Sequence, residues 1–377
     1  MIRIGIICPS EIAFRRFLPA LVQCSEFEYA GVAVASDEEW FGAEYKEIDA
    51  GRRAAVLKGE LEKARNFQEK YGGSIVSGYE KLITDEKIDA IYIPLPPALH
   101  YQWAEKALEN GKHVLVEKPA TIEKKLTDDL ILQAQQKKLA LHENYMFVFH
   151  NQLREMKEIV EEGRIGDIRV IRIDFGFPRR SQGDFRYCKQ MGGGALLDCG
   201  GYTLKYAAML LGDDVQVDCA RLNYVDEFDV DLYGSATLSN KKGQVVQVSF
   251  GMDNQYKCDL EIWGSKGRLT SGRVLTAQAG FQPACTLCIG SEQETIALSV
   301  DDTFLKSLKY FAACVEDDGH REEAYEVIRR QADLVECFKA AVKWYGLGLR
   351  IGASCRAEIE TLADVKQPKP KRVSARE

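Results

Sequence analysis

Residues 87–120 read KIDAIYIPLPPALHYQWAEKALENGKHVLVEKPA, and this stretch decides the fold. Ile88 to Ile93 is a short apolar, β-branched run, the pattern of a strand buried on both faces. It stops at Pro94-Leu95-Pro96-Pro97, where missing amide donors and a fixed φ forbid a strand or helix interior. Trp103, Ala104, Ala107 and Leu108 then recur at helical spacing, and Asn110-Gly111 closes that helix. His113 to Val116 predicts a second buried strand, ending at Glu117-Lys118-Pro119. Strand, helix and strand form one βαβ unit, whose crossover requires a parallel neighbour in the same sheet. Ligands of open parallel sheets sit beyond the carboxyl ends of the strands. Both punctuated ends, 94–97 and 117–119, lie on that edge. Lys118, held from helical geometry by the proline behind it, is an ammonium fixed where chemistry is expected.

Working outward, Ile2 to Cys8 reads as a first strand and Ile12 to Leu21 as a helix. The turn between them places Cys8, Ser10 and Ala13 where a dinucleotide fingerprint has its three glycines. Small residues keep this backbone approachable, and Ser10 can cap the helix toward a pyrophosphate. A positive φ at Cys8 or Ser10 would cost about 1 kcal/mol that glycine avoids. Arg15-Arg16 either face phosphate or are a solvated pair. Tyr29 to Ala35 is a second strand, and Ser36-Asp37 after it should meet the adenosine ribose. An acid there favours NAD, whereas a nearby Arg accommodates a 2′-phosphate. Residues 37–58 read as an insertion carrying Trp40, Phe41, Tyr45, Arg52 and Arg53, either a surface excursion or a lid. Leu61 to Tyr71 and Thr121 to Lys138 are helical, and Leu139 to Asn144 is a last strand of this half.

Beyond Gln152 to Glu161, a helix opened by His150, the period changes. Ile168–Phe177, Val215–Tyr224, Asp231–Ser239, Gln244–Met252, Cys258–Gly264 and Gly267–Ser271 read as strands with polar turns, a mostly antiparallel sheet apolar on one face. Its other face is expected to cover the nucleotide edge or to form a homo-oligomer contact. Thr303–Glu316 and Glu323–Trp344 are closing helices, and the basic tail 351–377 has no apolar anchor and is expected to be disordered.

The 377 residues suffice for two domains, and a net charge of −7 argues against general nucleic-acid binding. No apolar run reaches membrane-spanning length, so no membrane association is expected. The amino terminus enters a strand at once, so no signal peptide is expected. The eleven cysteines are scattered and odd in number, as free cytosolic thiols would be, so a cytoplasmic protein is expected. Cys285-Thr286-Leu287-Cys288 stands alone with no His nearby, so no metal site is expected.

A second constellation is Gly192-Gly193-Gly194-Ala195-Leu196-Leu197-Asp198-Cys199-Gly200-Gly201-Tyr202. Its glycines let backbone approach a ligand closely, and Asp198 and Tyr202, four apart, share a helical face. Strand–Pro-Leu-Pro–helix–GKHVLVEKP, this glycine segment and Glu143-Asn144-Tyr145-Met146 together resemble the glucose–fructose oxidoreductase / inositol dehydrogenase / MocA family of nicotinamide-dependent oxidoreductases, over about residues 1–345. The resemblance implies an α/β fold: a Rossmann doubly wound parallel sheet over 1–144 (core 1–120), and an α+β domain over 145–350. It implies NAD or NADP as cofactor, with Ser36-Asp37 favouring NAD. Cys8, Ser10, Ile12, Ala13, Ser36, Asp37, Pro94, Leu95, Pro96, His100, Glu117 and Lys118 become the cofactor contacts. Lys118 and Tyr202 become the proton-transfer residues and Asp198 their hydrogen-bonding neighbour. A Tyr at 202, where inositol dehydrogenase-like members have His, resembles the sugar-ketoreductase and dihydrodiol dehydrogenase branches.

Reducing a ketone by hydride leaves an alkoxide, so a proton donor must lie within reach of that oxygen. A phenol beside an ammonium is expected to have its pKa moved toward neutrality. Arg186 and Tyr187 in Asp184-Phe185-Arg186-Tyr187, with Tyr256 and Tyr145, are the expected substrate contacts. The resemblance extends to nucleotide-linked keto-sugar reductases through Ile-Ala-x-Arg-Arg, Tyr-Met-Phe and Gly-Asp-Phe-Arg-Tyr. Its implied substrate is a sugar ring carbon. Dihydrodiol or free-sugar dehydrogenases, and a nucleotide-binding sensor without turnover, are the alternatives.

Overall fold

A computed structural model describes residues 1–42, 45–181 and 183–342. Six strands, β1 (Ile2–Ile7), β2 (Phe27–Val34), β3 (Ser74–Ser77), β4 (Ala90–Ile93), β5 (His113–Val116) and β6 (Leu141–Glu143), form one sheet in the order β3-β2-β1-β4-β5-β6. Every pairing in it is parallel. Helices cover both faces, so β4 is buried at all four positions and its run carries no polar alternation. The order reverses between β1 and β4, which places Cys8 and Pro94, the residues after their carboxyl ends, at the crevice where such sheets bind ligands.

The second sheet has eight strands: β7 (Ile168–Gly176), β8 (Gln216–Tyr224), β9 (Asp231–Ser239), β10 (Val245–Gly251), β11 (Lys257–Gly264), β12 (Gly267–Gly272), β13 (Ala284–Ile289) and β14 (Glu292–Ala297). They run β14-β13-β12-β11-β7-β10-β9-β8, antiparallel except for the β7–β10 pair. Burial alternates along β9, β10 and β11, one face packed and the other open. The packed face takes the helix Gly201–Leu211, of which Tyr202, Leu204, Tyr206, Ala207 and Leu211 join the core with Leu232, Val248 and Phe250.

The chain does not stay with its second sheet. Phe304, Leu308 and Phe311 of the helix Thr303–Glu316 pack beneath the parallel sheet. In the helix Asp318–Ala341, Tyr325 and Ile328 pack with the parallel sheet, while Leu334, Val335 and Phe338 pack with the antiparallel one. That helix therefore fastens the two halves, and an uninterrupted second unit over 145–350 gives way to a chain that returns. Trp344 and the tail 351–377 lie outside the described residues.

Four elements differ from the sequence reading. β3 and the edge pair β13–β14 escape it, because β3 has four residues and β14 is mostly exposed and Glu-rich, a charged edge without an apolar face. Cys285 and Cys288 lie on β13 as free thiols, and no metal-holding cluster occurs among the described residues. The helix read from Leu61 starts at Ala50, capped by Asp49, so much of the insertion is helical; its buried residues begin at Glu60. Among the described residues no helix is long and apolar enough to cross a membrane.

Candidate active site

The site is built where the ends of β4 and β5 meet the glycine run. At Gly192, φ is 77° and a Cβ would lie 2.9 Å from Ala98 N and from Pro97 Cβ, so a bare backbone brings the second half against the loop after β4. The segment Leu196–Gly200 then winds as a π turn before the helix Gly201–Leu211, a distortion often found at functional positions. It carries Asp198 toward Lys118. The Lys118 ammonium donates to the Asp198 carboxylate at 2.8 Å and to its main-chain carbonyl at 2.9 Å. From the other side Arg186 Nε donates to the second carboxylate oxygen at 2.8 Å, and Asp184 holds that guanidinium in turn. Burial alone would raise the Asp198 pKa, but two cations hold it well below the usual carboxylate range.

Tyr202 lies one turn on. Lys118 Nζ sits over the Tyr202 ring, 5.0 Å from its centroid. Tyr145, Phe147 and Phe175 pack against that ring at centroid distances of 5.1, 5.6 and 5.4 Å. Among the described residues its hydroxyl has no hydrogen-bond partner, and 7% of the residue stays exposed. The expected downward pKa shift is not found. Burial first, then the charges of Glu117 and Asp198, push the phenol well above its ordinary value. The ammonium reaches the ring face while its charge is matched by Asp198, so Tyr202 remains a protonated donor.

Buried polar groups fix this arrangement from behind. The carboxylate of Glu117 accepts from Tyr92 Oη and Asn144 Nδ2, both at 2.7 Å, and burial raises its pKa. Glu143 accepts from Ala120 N at 2.9 Å and pairs with Lys205 at 3.4 Å, joining β6 to the helix Gly201–Leu211. Gln331 donates to Gly201 O at 2.9 Å. Asp231 accepts from Leu196 N at 2.7 Å, anchoring the π turn, and burial raises its pKa to about 6. The sequence reading missed Lys205, Gln331 and Asp231 as supports. Glu143 lay within a motif used only for the family resemblance, and no local signal marks Asp231.

The other expected contacts divide. Cys8 takes φ 78°, the strained option anticipated for a chain without that glycine, and burial pushes its thiol up to about 12. Ser10 Oγ accepts from Ala13 N at 3.3 Å, and Ala13 is fully buried. Ile12 lies in the first turn of the helix Ser10 caps. The loop is thus small-sided and ends in capped helical amides at the carboxyl edge, which fits a dinucleotide pyrophosphate. Pro94, Leu95 and Pro96 line that edge, Pro94 and Leu95 buried.

His100, expected as a cofactor contact, is fully buried, with Nδ1 2.7 Å from Pro119 O and Nε2 2.7 Å from Leu95 O, so both ring nitrogens are taken up in tying the two loops together. Burial lowers its pKa to about 4 against the pull of those carbonyls, with the nearby Lys118 ammonium adding to the lowering. Tyr145 is 1% exposed and has its hydroxyl 2.1 Å from where a Gly201 Cβ would be, so it backs the Tyr202 ring from within the core. Tyr187 is buried against Phe228 and accepts from Arg180 N at 2.8 Å, holding the loop. Tyr256 bonds Thr276 at 2.9 Å and lies under Arg273.

A parallel nucleotide sheet whose edge carries a buried Lys–Asp–Arg cluster and a protonated tyrosine defines a nicotinamide-dependent oxidoreductase. The comparisons agree. Residues 29–145 match the model of an oxidoreductase family with an NAD-binding Rossmann fold, and residues 153–270 match the GFO/IDH/MocA C-terminal domain. The chain belongs to the GFO/IDH/MocA family. It is 36% identical over 342 residues to the dTDP-3,4-didehydro-2,6-dideoxy-alpha-D-glucose 3-reductase of Actinomadura kijaniata, covering 91% of this chain and 96% of that one. The enzyme of the same name from Streptomyces violaceoruber is 35% identical, over 90% and 95% of the two chains. The crystal structure of a 3-ketoreductase from Actinomadura kijaniata in complex with NADP and TDP-benzene superimposes with a TM-score of 0.81 at 36% identity, covering 91% of this chain and 98% of that one.

Proposed function

We propose that this enzyme reduces the ring ketone of a nucleotide-linked deoxy keto-sugar. The observation that carries the reading is the Lys118–Asp198–Arg186 cluster under the Tyr202 ring, in a chain similar over nine-tenths of its length to keto-sugar 3-reductases. The nicotinamide cofactor, when bound, supplies the hydride. Tyr202 holds a proton at its hydroxyl and gives it to the oxygen that becomes the alcohol. Lys118, fixed by two bonds to Asp198, places positive charge where that oxygen gains negative charge. Lys118 and Arg186 keep Asp198 ionised, Asp184 holds Arg186 in place, and the aromatic wall excludes water from the exchange.

The open face of the eight-stranded sheet supports assembly with further copies of the chain. It exposes Trp263 and Tyr233 beside the pairs Arg172–Glu261 and Lys257–Asp174, an apolar and self-complementary charged surface.

The test is a panel of dTDP-linked keto-sugars, free ketoses and dihydrodiols, each assayed with NADPH and NADH. Consumption of reduced cofactor with the dTDP-linked keto-sugars is expected. Turnover only with free sugars or diols would move the substrate assignment, and binding without turnover of any of them would leave a sensor.

A further inference from the structure

The carboxyl end of β2 holds an ion pair that the reduction mechanism does not use. Segment 36–39 is firmly placed. Ser36 Oγ accepts from Glu39 N at 3.3 Å, and the Glu39 carboxylate accepts from Ser36 N, Tyr79 N and Glu80 N at 2.7, 2.9 and 2.9 Å. Asp37 is therefore fixed where an acid after the second strand meets the adenosine ribose. Its carboxylate is not free. Arg53, sixteen residues downstream on the helix Ala50–Tyr71, donates from NH1 to Asp37 Oδ2 at 3.0 Å. That guanidinium is itself anchored, by Nε to Ile48 O at 3.2 Å and by the Tyr45 ring, 5.4 Å from its centroid. Among the described residues its NH2 has no partner. The side chains are 19% exposed for Arg53 and 37% for Asp37, so the pair is open to a ligand on one side.

The chemistry of the pair differs from that of either member. An unpaired aspartate here repels a 2′-phosphate and bonds a free ribose diol. An arginine here binds the phosphate through parallel N–H donors, more strongly than it binds a carboxylate of half the charge. With both present the repulsion is cancelled, and the guanidinium is already placed.

Resting on the oxidoreductase reading above, we propose that the Asp37–Arg53 pair sets cofactor choice: Arg53 admits the 2′-phosphate of NADP(H), and Asp37 keeps NAD(H) usable. The segment read from sequence as an insertion thus belongs to the adenosine end of the cofactor site. Asp37 taken alone favours NAD. Its partner from the insertion reverses that expectation.

The experiment measures dissociation constants for NADPH and NADH by quenching of protein fluorescence, with no sugar present, so that the readout does not depend on turnover. Wild type is expected to bind both, NADPH at least as tightly as NADH. Arg53→Ala should weaken NADPH by roughly tenfold or more and leave NADH within about threefold, since one charge-assisted contact is removed and one repulsion uncovered. Arg53→Lys should recover part of the NADPH loss, and Asp37→Ser should shift the ratio further toward NADPH. An unchanged NADPH-to-NADH ratio in Arg53→Ala overturns the proposal, as does a wild type that binds NADH alone. Equal loss of both cofactors in Arg53→Ala and Arg53→Lys also overturns it, because that is what a purely structural arginine gives. Failure of wild type to bind either cofactor would instead remove the nucleotide reading on which the proposal rests.

Discussion

The two sheets bury their residues in different ways, and function follows the difference. The parallel sheet is covered on both faces, leaving only its strand ends free, and those ends hold Cys8, Pro94, Glu117 and Lys118. The antiparallel sheet is covered on one face by the helix Gly201–Leu211, leaving a whole face open. Small ligands suit the first arrangement and macromolecular contact the second. The proposed active centre belongs to neither sheet alone. Lys118 comes from the end of β5, Asp198 from the π turn Leu196–Gly200, and Tyr202 from the helix that packs on the other sheet.

The largest expected effects come from breaking that junction. Lys118→Ala and Tyr202→Phe should each lower kcat by roughly 10²–10⁴-fold, the range for losing a proton donor or an oxyanion-stabilising charge. Dissociation constants for NADPH should stay within a few-fold, because neither residue touches the adenosine end. Turnover that survives both changes would remove the pair from the mechanism.

A smaller effect should follow from Gly201→Ala, which tests whether the antiparallel half positions chemistry it does not contain. The added Cβ would lie 2.1 Å from Tyr145 Oη, and a hydroxyl packed against Tyr202 and Gln331 has nowhere to go. Overpacking of this kind costs about 1–3 kcal/mol. The thermal midpoint should fall and kcat should fall with it. A variant as stable and active as wild type would show the helix to be looser than its packing implies. Trp263→Glu addresses the open face. With Trp263 half exposed, the change should leave the thermal midpoint nearly unmoved and turnover intact while dissociating, in sedimentation, the assembly proposed for this face. An assembly that persists would place the contact elsewhere.

The same difference explains what could be read from the chain alone. Strands buried on both faces write continuous apolar runs, so β1, β2, β4 and β5 stand out, and prolines and glycines mark the ligand edge. In the second sheet, strands of alternating character were legible and β14 was not, because an edge strand of Glu, Gln and Thr has no apolar face to announce it. Lys118, Asp198 and Tyr202 could be singled out because short punctuated motifs surround them. Their electrostatics could not. The pKa of Tyr202 depends on where Lys118 points and on Glu117 and Asp198, which are distant in sequence. Arg186 was visible as an arginine near the glycine run, but its partner Asp198 became visible only in three dimensions. Arg53 could be seen, yet only the fold brings it to Asp37.

The smallest effect concerns His100, the tie between the loops after β4 and β5. Its folded pKa is lowered to about 4 from 6.5, chiefly by burial. The ring therefore stays neutral in the native protein through a range in which it is protonated when unfolded. A depressed histidine of this kind contributes stability that is full above the unfolded pKa and is lost as pH falls through 6.5 toward 4. Between pH 7 and pH 5.5 the loss amounts to about 1 kcal/mol. His100→Asn removes the titration, so the stability gap between wild type and variant, measured by urea unfolding, should narrow by that amount over the same interval. The geometry permits one sharp alternative. Both ring nitrogens lie 2.7 Å from carbonyl oxygens, and only an imidazolium donates to two acceptors at once. If the gap widens on acidification, the ring is a cation clamped between Leu95 and Pro119, and burial has lost to the two carbonyls.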